Sequence, residues 1–411
     1  MEPGRPRLHL VIDDLLVYGS AIARPTGIQR VASGIATALI RDHGAIAVHV
    51  GGGAIRRAEL PTTASTSLLA KTSEPVLQLL SLAPRRVQEA VRGVARAVLS
   101  QLSALRAGAP VGVSSGDWML VLGAPWIAPG MARATVSIAA TQNLRIALLV
   151  HDLLPSTDPQ WFGDAQGLAA KRDMDDLISA ADLLFAVSPE VATQLRMRTA
   201  HPVHVTSPAD PLFPRTSAAP PLSVLEDVPE PILLTVGTLH PRKGLSSLVR
   251  IWDAWVKSGD HDSLKMGQVP MLVIAGRRHP QDGELFSALE ANPRARERIR
   301  LIHDASDEQL AGLYARARFL VMPSQAEGWG MPIREALVAG KPSIATDAVP
   351  AAQTSPFVRI VPAGSEEQLS LAIHEWWEGA EPERLSKEIV DQFTPRSWED
   401  VAREIADRIS S

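Results

Sequence analysis

Two series of short apolar runs, divided by one proline-rich stretch, constrain this chain more than any other feature. Runs at residues 8–12, 45–50, 118–122, 145–150, 182–187 and 203–205 fall in the first half, and runs at 232–236, 271–275, 299–302, 319–322 and 342–346 in the second. Most are continuous rather than alternating, as expected of strands covered on both faces, and helix-length segments lie between them. Strands alternating with helices make parallel sheets, because a parallel partner is reached only by a crossover. Between the two series, residues 207–231 carry Pro208, Pro211, Pro214, Pro220, Pro221, Pro229 and Pro231. Proline has no N–H for a sheet ladder, so this stretch reads as a linker. The prediction is an α/β protein of two Rossmann-like parallel-sheet domains facing an interdomain cleft. They occupy residues 1–210 and 232–392, with the linker at 211–231 and a closing helix in 393–411.

The 411 residues suffice for two such domains, and 45% hydrophobic residues is a globular composition. A net charge of −4 leaves no excess positive charge for nucleic acid. With no cysteine, disulfides, thiolate chemistry and zinc–cysteine sites are excluded. Asp13 and Asp14 interrupt the first apolar run, which is not a signal peptide, and no run reaches the roughly 18–20 apolar residues of a membrane span. A cytoplasmic protein is expected, either soluble or peripheral on the inner face of the plasma membrane. The peripheral reading rests on residues 52–112, where Arg56, Arg57, Lys71, Arg85, Arg86, Arg92, Arg96 and Arg106 face only Glu59, Glu74 and Glu89. Within residues 84–106, Val87, Val91, Val94, Val98, Leu102 and Leu105 recur at helical spacing. This predicts a basic helical insertion, which either lies on an anionic membrane surface or packs on its own domain with its arginines in water.

The densest chemistry lies in residues 327–335, where Glu327 and Glu335 flank Gly328, Trp329, Gly330, Met331 and Pro332. An apolar run and the breaker Pro323-Ser324 precede it; a helical stretch follows and ends at Gly340. The order is therefore strand, glycine-rich turn, helix, with Pro332 expected at the first helical position. The free N–H groups of that helix start make a site for an anion, above all a phosphate. Glu327 precedes the helix and can reach what sits at its mouth. Glu335 lies about one turn inside, where a carboxylate can accept two hydrogen bonds from a vicinal diol such as a ribose.

The second series opens in a similar way, with Val236-Gly-Thr238-Leu-His-Pro-Arg242-Lys243-Gly244. Arg242 by its fork and Lys243 as a point charge suit a diphosphate. Either motif alone reads as a surface loop. On the same face of one sheet they converge on one ligand. In the first series, Gly27 stands in a loop before a helix, which is a place for phosphate or sugar oxygens or else a plain strand–helix connection. His151 follows the 145–150 strand, where a doubly wound sheet presents its ligands.

Residues 232–346 resemble the donor-binding domain of glycosyltransferase family 4, retaining enzymes of the GT-B fold. Four pieces carry the resemblance in order: residues 236–244, 273–276, 306–317 and 323–342. The first half is similar more loosely, through residues 26–31 and 151–155. Residues 393–399 resemble the start of the family's closing helix, which crosses back onto the first domain. The Pro-Arg-Lys form is similar to a bacterial surface-polysaccharide mannosyltransferase-like subgroup. The resemblance implies that Arg242 and Lys243 bind the donor diphosphate and that Glu327 lies beside the donor sugar and pyrophosphate. It implies that His151 contacts the sugar, so that these four residues act in catalysis. For donor binding it implies Gly328 with the amides of Trp329, Gly330 and Met331, Glu335 on the ribose, Gly27 and Thr238 by the phosphates, and Gly276 and His303 near the base. Three departures stand out. Thr238 replaces an arginine found in many members, His240 replaces a common acid, and residues 349–353 lack an acid often present after the preceding strand.

The implied activity is retaining, metal-independent transfer of a sugar from a nucleotide-diphosphate donor, with GDP-mannose favoured. The acceptor is a glycan or lipid-linked glycan in polysaccharide biosynthesis. No cofactor is implied, because side-chain cations meet the diphosphate charge. Readings that keep the fold but change the activity are a nucleotide-sugar epimerase, a phosphorylase, and a non-catalytic nucleotide-sugar-binding protein.

Overall fold

The computed structural model describes residues 6–21, 27–51, 54–61, 108–158, 161, 164–211, 228, 230–257, 269–279 and 281–411. The basic stretch at 84–106, with its proposed membrane contact, and most of the linker lie outside the described residues. The chain divides into two compact units, one of residues 1–209 with 396–411, the other of residues 210–395.

The first unit holds seven strands: β1 (Leu8–Val11), β2 (Ile46–Gly51), β3 (Ala54–Arg57), β4 (Trp118–Val121), β5 (Arg145–Val150), β6 (Leu183–Ala186) and β7 (Val203–Val205). Their order is β3-β2-β1-β4-β5-β6-β7. All pairs are parallel except β2 with β3. Leu10, Leu120 and Leu148, at the middle of the sheet, are fully buried. The antiparallel β3 corrects the start of the expected helical insertion. Ile55 turns inward opposite Val50, while Arg56 and Arg57 stay exposed, which is the pattern of a charged edge strand. Gly27 is likewise the first residue of the helix Gly27–His43 rather than part of the loop before it.

The closing helix, Trp398–Ser410, belongs to this unit. Ser397 caps it, accepting from the Asp400 N–H at 3.1 Å, while the Asp400 carboxylate accepts from the Ser397 N–H. Its apolar face, Val401, Ala402 and Ile405, is buried. Gly34 of the helix Gly27–His43 lies under the Trp398 indole, and a Cβ there would sit 2.5 Å from the ring. Glu404 accepts from the Thr206 hydroxyl at 3.0 Å.

The second unit has six strands, all parallel: β8 (Ile232–Val236), β9 (Leu272–Ala275), β10 (Ile299–Ile302), β11 (Ala317–Met322), β12 (Ser343–Thr346) and β13 (Val358–Val361). Their order is β10-β9-β8-β11-β12-β13, so the winding reverses between β8 and β11. A doubly wound sheet binds ligands outside the carboxyl ends of its strands at such a reversal. β8 runs into the Arg242-Lys243 loop and β11 into the Glu327 loop.

Candidate active site

After β8 the chain enters a loop that is held in shape by close approaches. Gly237 has a φ of 155°, and the Lys243 side chain passes it so closely that a Cβ would lie 3.3 Å from Lys243 Cε. The 3₁₀ turn Pro241–Lys243 is capped by His240, whose Nδ1 accepts from the Arg242 N–H at 3.2 Å. Gly244, with a φ of 63°, closes the turn against the exit of β11, where a Cβ would meet the Pro323 carbonyl at 2.2 Å. The two loops are joined further by the Gln325 N–H, which donates to the Arg242 carbonyl at 2.7 Å.

These contacts bring Arg242, Lys243 and Glu327 into one ion cluster. Arg242 donates to Glu327 Oε2 at 2.9 Å and to the Ala326 carbonyl at 2.8 Å. Lys243 Nζ and the Ser324 hydroxyl both donate to Glu327 Oε1, the latter at 2.8 Å. Only 7% of the Glu327 side chain is exposed, against 11% for Lys243 and 21% for Arg242. Burial by itself would raise the Glu327 pKa. The charges of Arg242 and Lys243 and their hydrogen bonds outweigh it and hold the carboxyl down at about 2. Two cations against one fixed anion leave the cluster with one net positive charge.

Gly330, with a φ of 110°, then opens the helix Met331–Val338. A Cβ at Gly330 would strike Val349 at 2.4 Å, and the Trp329 carbonyl accepts from the Ala351 N–H at 2.8 Å, so the residues after β12 fix the turn. Pro332 occupies the second helical position rather than the first. Its missing N–H is still one of the four that have no partner within a helix. The helix ends as the sequence suggests. The Gly340 N–H donates to Leu337 and the Lys341 N–H to Ala336, a Schellman closure with Gly340 at a φ of 73°.

Glu335 is buried on this helix, and its Oε2 accepts from the Tyr314 hydroxyl at 2.7 Å. Across the sheet, Gly276 follows β9, and a Cβ there would lie 1.7 Å from the Gly237 carbonyl oxygen. His303, after β10, donates from Nδ1 to the Gly276 carbonyl at 3.3 Å, beside the Arg277–Asp304 ion pair. The Thr238 carbonyl accepts from the His240 N–H at 2.7 Å. The second unit therefore gathers Thr238, Arg242, Lys243, Gly276, His303, Glu327 and the helix start at Met331 on the carboxyl edge of one sheet.

In the first unit, His151 follows β5 and donates from Nε2 to the Leu122 carbonyl at 2.7 Å. Burial pushes its pKa down to about 4, against the opposing pull of that carbonyl, so the ring is neutral at pH 7 and its Nδ1 is an acceptor. Gly27, also in this unit, is exposed at its helix start.

Sequence reasoning missed three residues that shape the site. His240 appeared only as a departure from the usual acid, yet its ring caps the turn. Ser324 appeared only as a breaker, yet it hydrogen-bonds Glu327. Tyr314 gave one usable signal: a tyrosine that becomes buried, as it does here beside Leu313, needs a partner for its hydroxyl.

Comparison with known proteins now bears on this geometry. Residues 223–389 match the model of the family "Glycosyl transferases group 1". Solved structures similar over nearly the whole chain include sucrose-phosphate synthase from Thermosynechococcus elongatus, at 17% identity and a TM-score of 0.61, covering 98% of each chain. Another is an alpha,alpha-trehalose-phosphate synthase (UDP-forming) from Burkholderia vietnamiensis, at 13% identity and a TM-score of 0.62, covering 99% of each chain. Two parallel-sheet units and these neighbours define the class: the chain has the GT-B fold, and residues 223–389 of it match the group 1 glycosyltransferase model.

Within that class the chain is similar to mannosyltransferases. It is 29% identical over 222 residues to the serotype-specific mannosyltransferase WbdA of Escherichia coli, covering 48% of this chain and 25% of that protein. It is 25% identical over 210 residues to the O-antigen chain mannosyltransferase B of Escherichia coli, covering 49% and 53%. The matched part thus spans about a quarter to about half of the length of these relatives.

Proposed function

We propose that this chain is a hexosyltransferase that moves a sugar from a nucleotide-diphosphate donor to a glycan or lipid-linked glycan in polysaccharide biosynthesis. The observation that carries the proposal is the Arg242–Glu327–Lys243 cluster at the sheet reversal, on the same edge as the N-terminus of a glycine-started helix. The cluster's one net positive charge and the amides of that N-terminus favour an anion, and negative charge grows on the leaving diphosphate as the sugar–oxygen bond breaks. Arg242 and Lys243 meet that charge. Glu327 holds the two cations at a fixed separation and keeps them from collapsing onto other partners. The amides of Trp329, Gly330 and Met331 serve phosphate and sugar oxygens, Glu335 serves the ribose, and Gly276 and His303 line the base. His151 is assigned a part in the same reaction, as a neutral acceptor for a sugar hydroxyl.

The proposed chemistry retains configuration and uses no metal. The anomeric carbon loses its bond to the diphosphate oxygen and gains one to the acceptor oxygen on the same face. The departing phosphate takes the acceptor's proton. The sequence likeness to mannosyltransferases supports mannose as the sugar, and GDP-mannose is the donor we propose. The test is a panel of nucleotide sugars assayed for release of the diphosphate and for anomeric outcome by NMR. GDP-mannose turnover with an α-linked product supports the proposal. Turnover of no nucleotide sugar by a folded protein refutes it.

A further inference from the structure

We infer that Asp14 is a positioning residue for His151, acting through the turn formed by Leu122, Gly123 and Ala124. This rests on the reading of the chain as a glycosyltransferase with His151 at the sugar. The strands β1, β4 and β5 are neighbours in the first unit's sheet, and the three parts follow their carboxyl ends in that order. Asp14 lies in the first turn of the helix after β1, and its Oδ2 accepts from the Ala124 N–H at 2.9 Å. Two residues earlier in the same turn, the Leu122 carbonyl takes the His151 Nε2–H at 2.7 Å. Gly123, between them, is pressed onto the carboxyl so closely that a Cβ would lie 1.8 Å from Asp14 Oδ2. The turn is therefore seated directly on Asp14, and the far side of the same turn sets which ring nitrogen of His151 carries the proton.

Asp14 is only 1% exposed, so no substrate reaches it, and its effect must pass through the turn. It is also held in a costly state. Its Oδ1 is buried with no hydrogen-bond partner among the described residues. Burial pushes its carboxyl up to about 7, with a smaller upward push from Asp13, against the pull of the Ala124 and Leu15 N–H groups. The neighbouring Asp13, whose carboxyl burial also pushes up, makes different contacts. It faces β2, where it accepts from the Val50 N–H at 3.1 Å and pairs with His49 at 2.6 Å. A carboxylate kept under a glycine turn at such cost fits a site where local stability yields to placement.

The experiment combines a double-mutant cycle with a direct view of the ring. Asp14→Ala, His151→Ala and the double variant are assayed for transfer. The ring nitrogens of ¹⁵N-histidine-labelled protein are followed by NMR, with His151→Gln identifying the resonances. The inference expects Asp14→Ala to lower kcat at least tenfold with the donor KM within about threefold, and to have no further effect once His151 is gone. It also expects the two His151 nitrogens, well separated in the wild type, to average toward each other in Asp14→Ala. An equal loss in both backgrounds, or unchanged His151 nitrogens, overturns it. Should Asp14→Ala fail to fold, Asp14→Asn keeps an oxygen for the Ala124 N–H and must preserve both the tautomer and kcat; losing either overturns the inference. If the wild type transfers no sugar, or His151→Ala leaves transfer intact, the functional reading fails, and the NMR arm still decides the positioning.

Discussion

Replacing Glu327 with glutamine removes one charge from a buried cluster and leaves its shape almost unchanged. The carboxyl is held down at about 2 against an ordinary value of 4.5. At about 1.4 kcal/mol per unit this is about 3 kcal/mol of stability at pH 7, an upper figure because Arg242 keeps some exposure. The sign follows from the depressed value. The unfolded chain binds the proton first, so the contribution is complete above pH 4.5 and is lost as pH falls through 2. At pH 3 about 1.4 kcal/mol should remain. Glu327→Gln should therefore destabilise the second unit by about 3 kcal/mol at pH 7, and the gap from wild type should roughly halve by pH 3. Urea unfolding followed by tryptophan fluorescence, run on both proteins at the two pH values, measures this. Equal stability at pH 7, or a gap that does not shrink on acidification, would refute the reasoning.

Three further outcomes follow from the same structure. Tyr314→Phe leaves the buried Glu335 without its hydroxyl partner and should cost about 1–3 kcal/mol in denaturant unfolding, with weaker nucleotide binding. Gly276→Ala places a Cβ 1.7 Å from the Gly237 carbonyl, so a folded variant must displace the loop after β8 and, on the proposed function, should lose the thermal shift given by nucleoside diphosphates. Asp14 has a raised pKa, so the folded chain keeps its proton longer than the unfolded one and stability falls as pH rises from 3.8 to about 7. Asp14→Asn should flatten that fall, by up to about 4 kcal/mol, in unfolding measured across the same range.

Central strands were legible because they are apolar on both faces and end in glycine or proline, as β8 does at Gly237 and β11 at Pro323. Two of the four edge strands, β3 and β13, were not. β3 presents Arg56 and Arg57 to solvent, and β13 alternates with Arg359 and an exposed Ile360, so neither reads as a continuous run. The glycine-started helix and its Gly340 closure were visible because both termini use residues with a backbone reason to be there. What spacing cannot carry is pairing across the chain. Glu327 lies 85 positions from Arg242, and nothing local says that the acid is bound by both cations before any ligand arrives. The same holds for Asp14, whose partner turn lies 110 positions away. A buried carboxylate under a glycine is a three-dimensional fact, and in the sequence it looks like one of two acids at a helix start.

The most direct test of the account is a calorimetric titration of GDP into the wild-type protein and into Lys243→Ala. The account predicts saturable binding by the wild type and at least tenfold weaker binding by the variant, because the cluster loses its net positive charge. Equal affinity in the two proteins would contradict it.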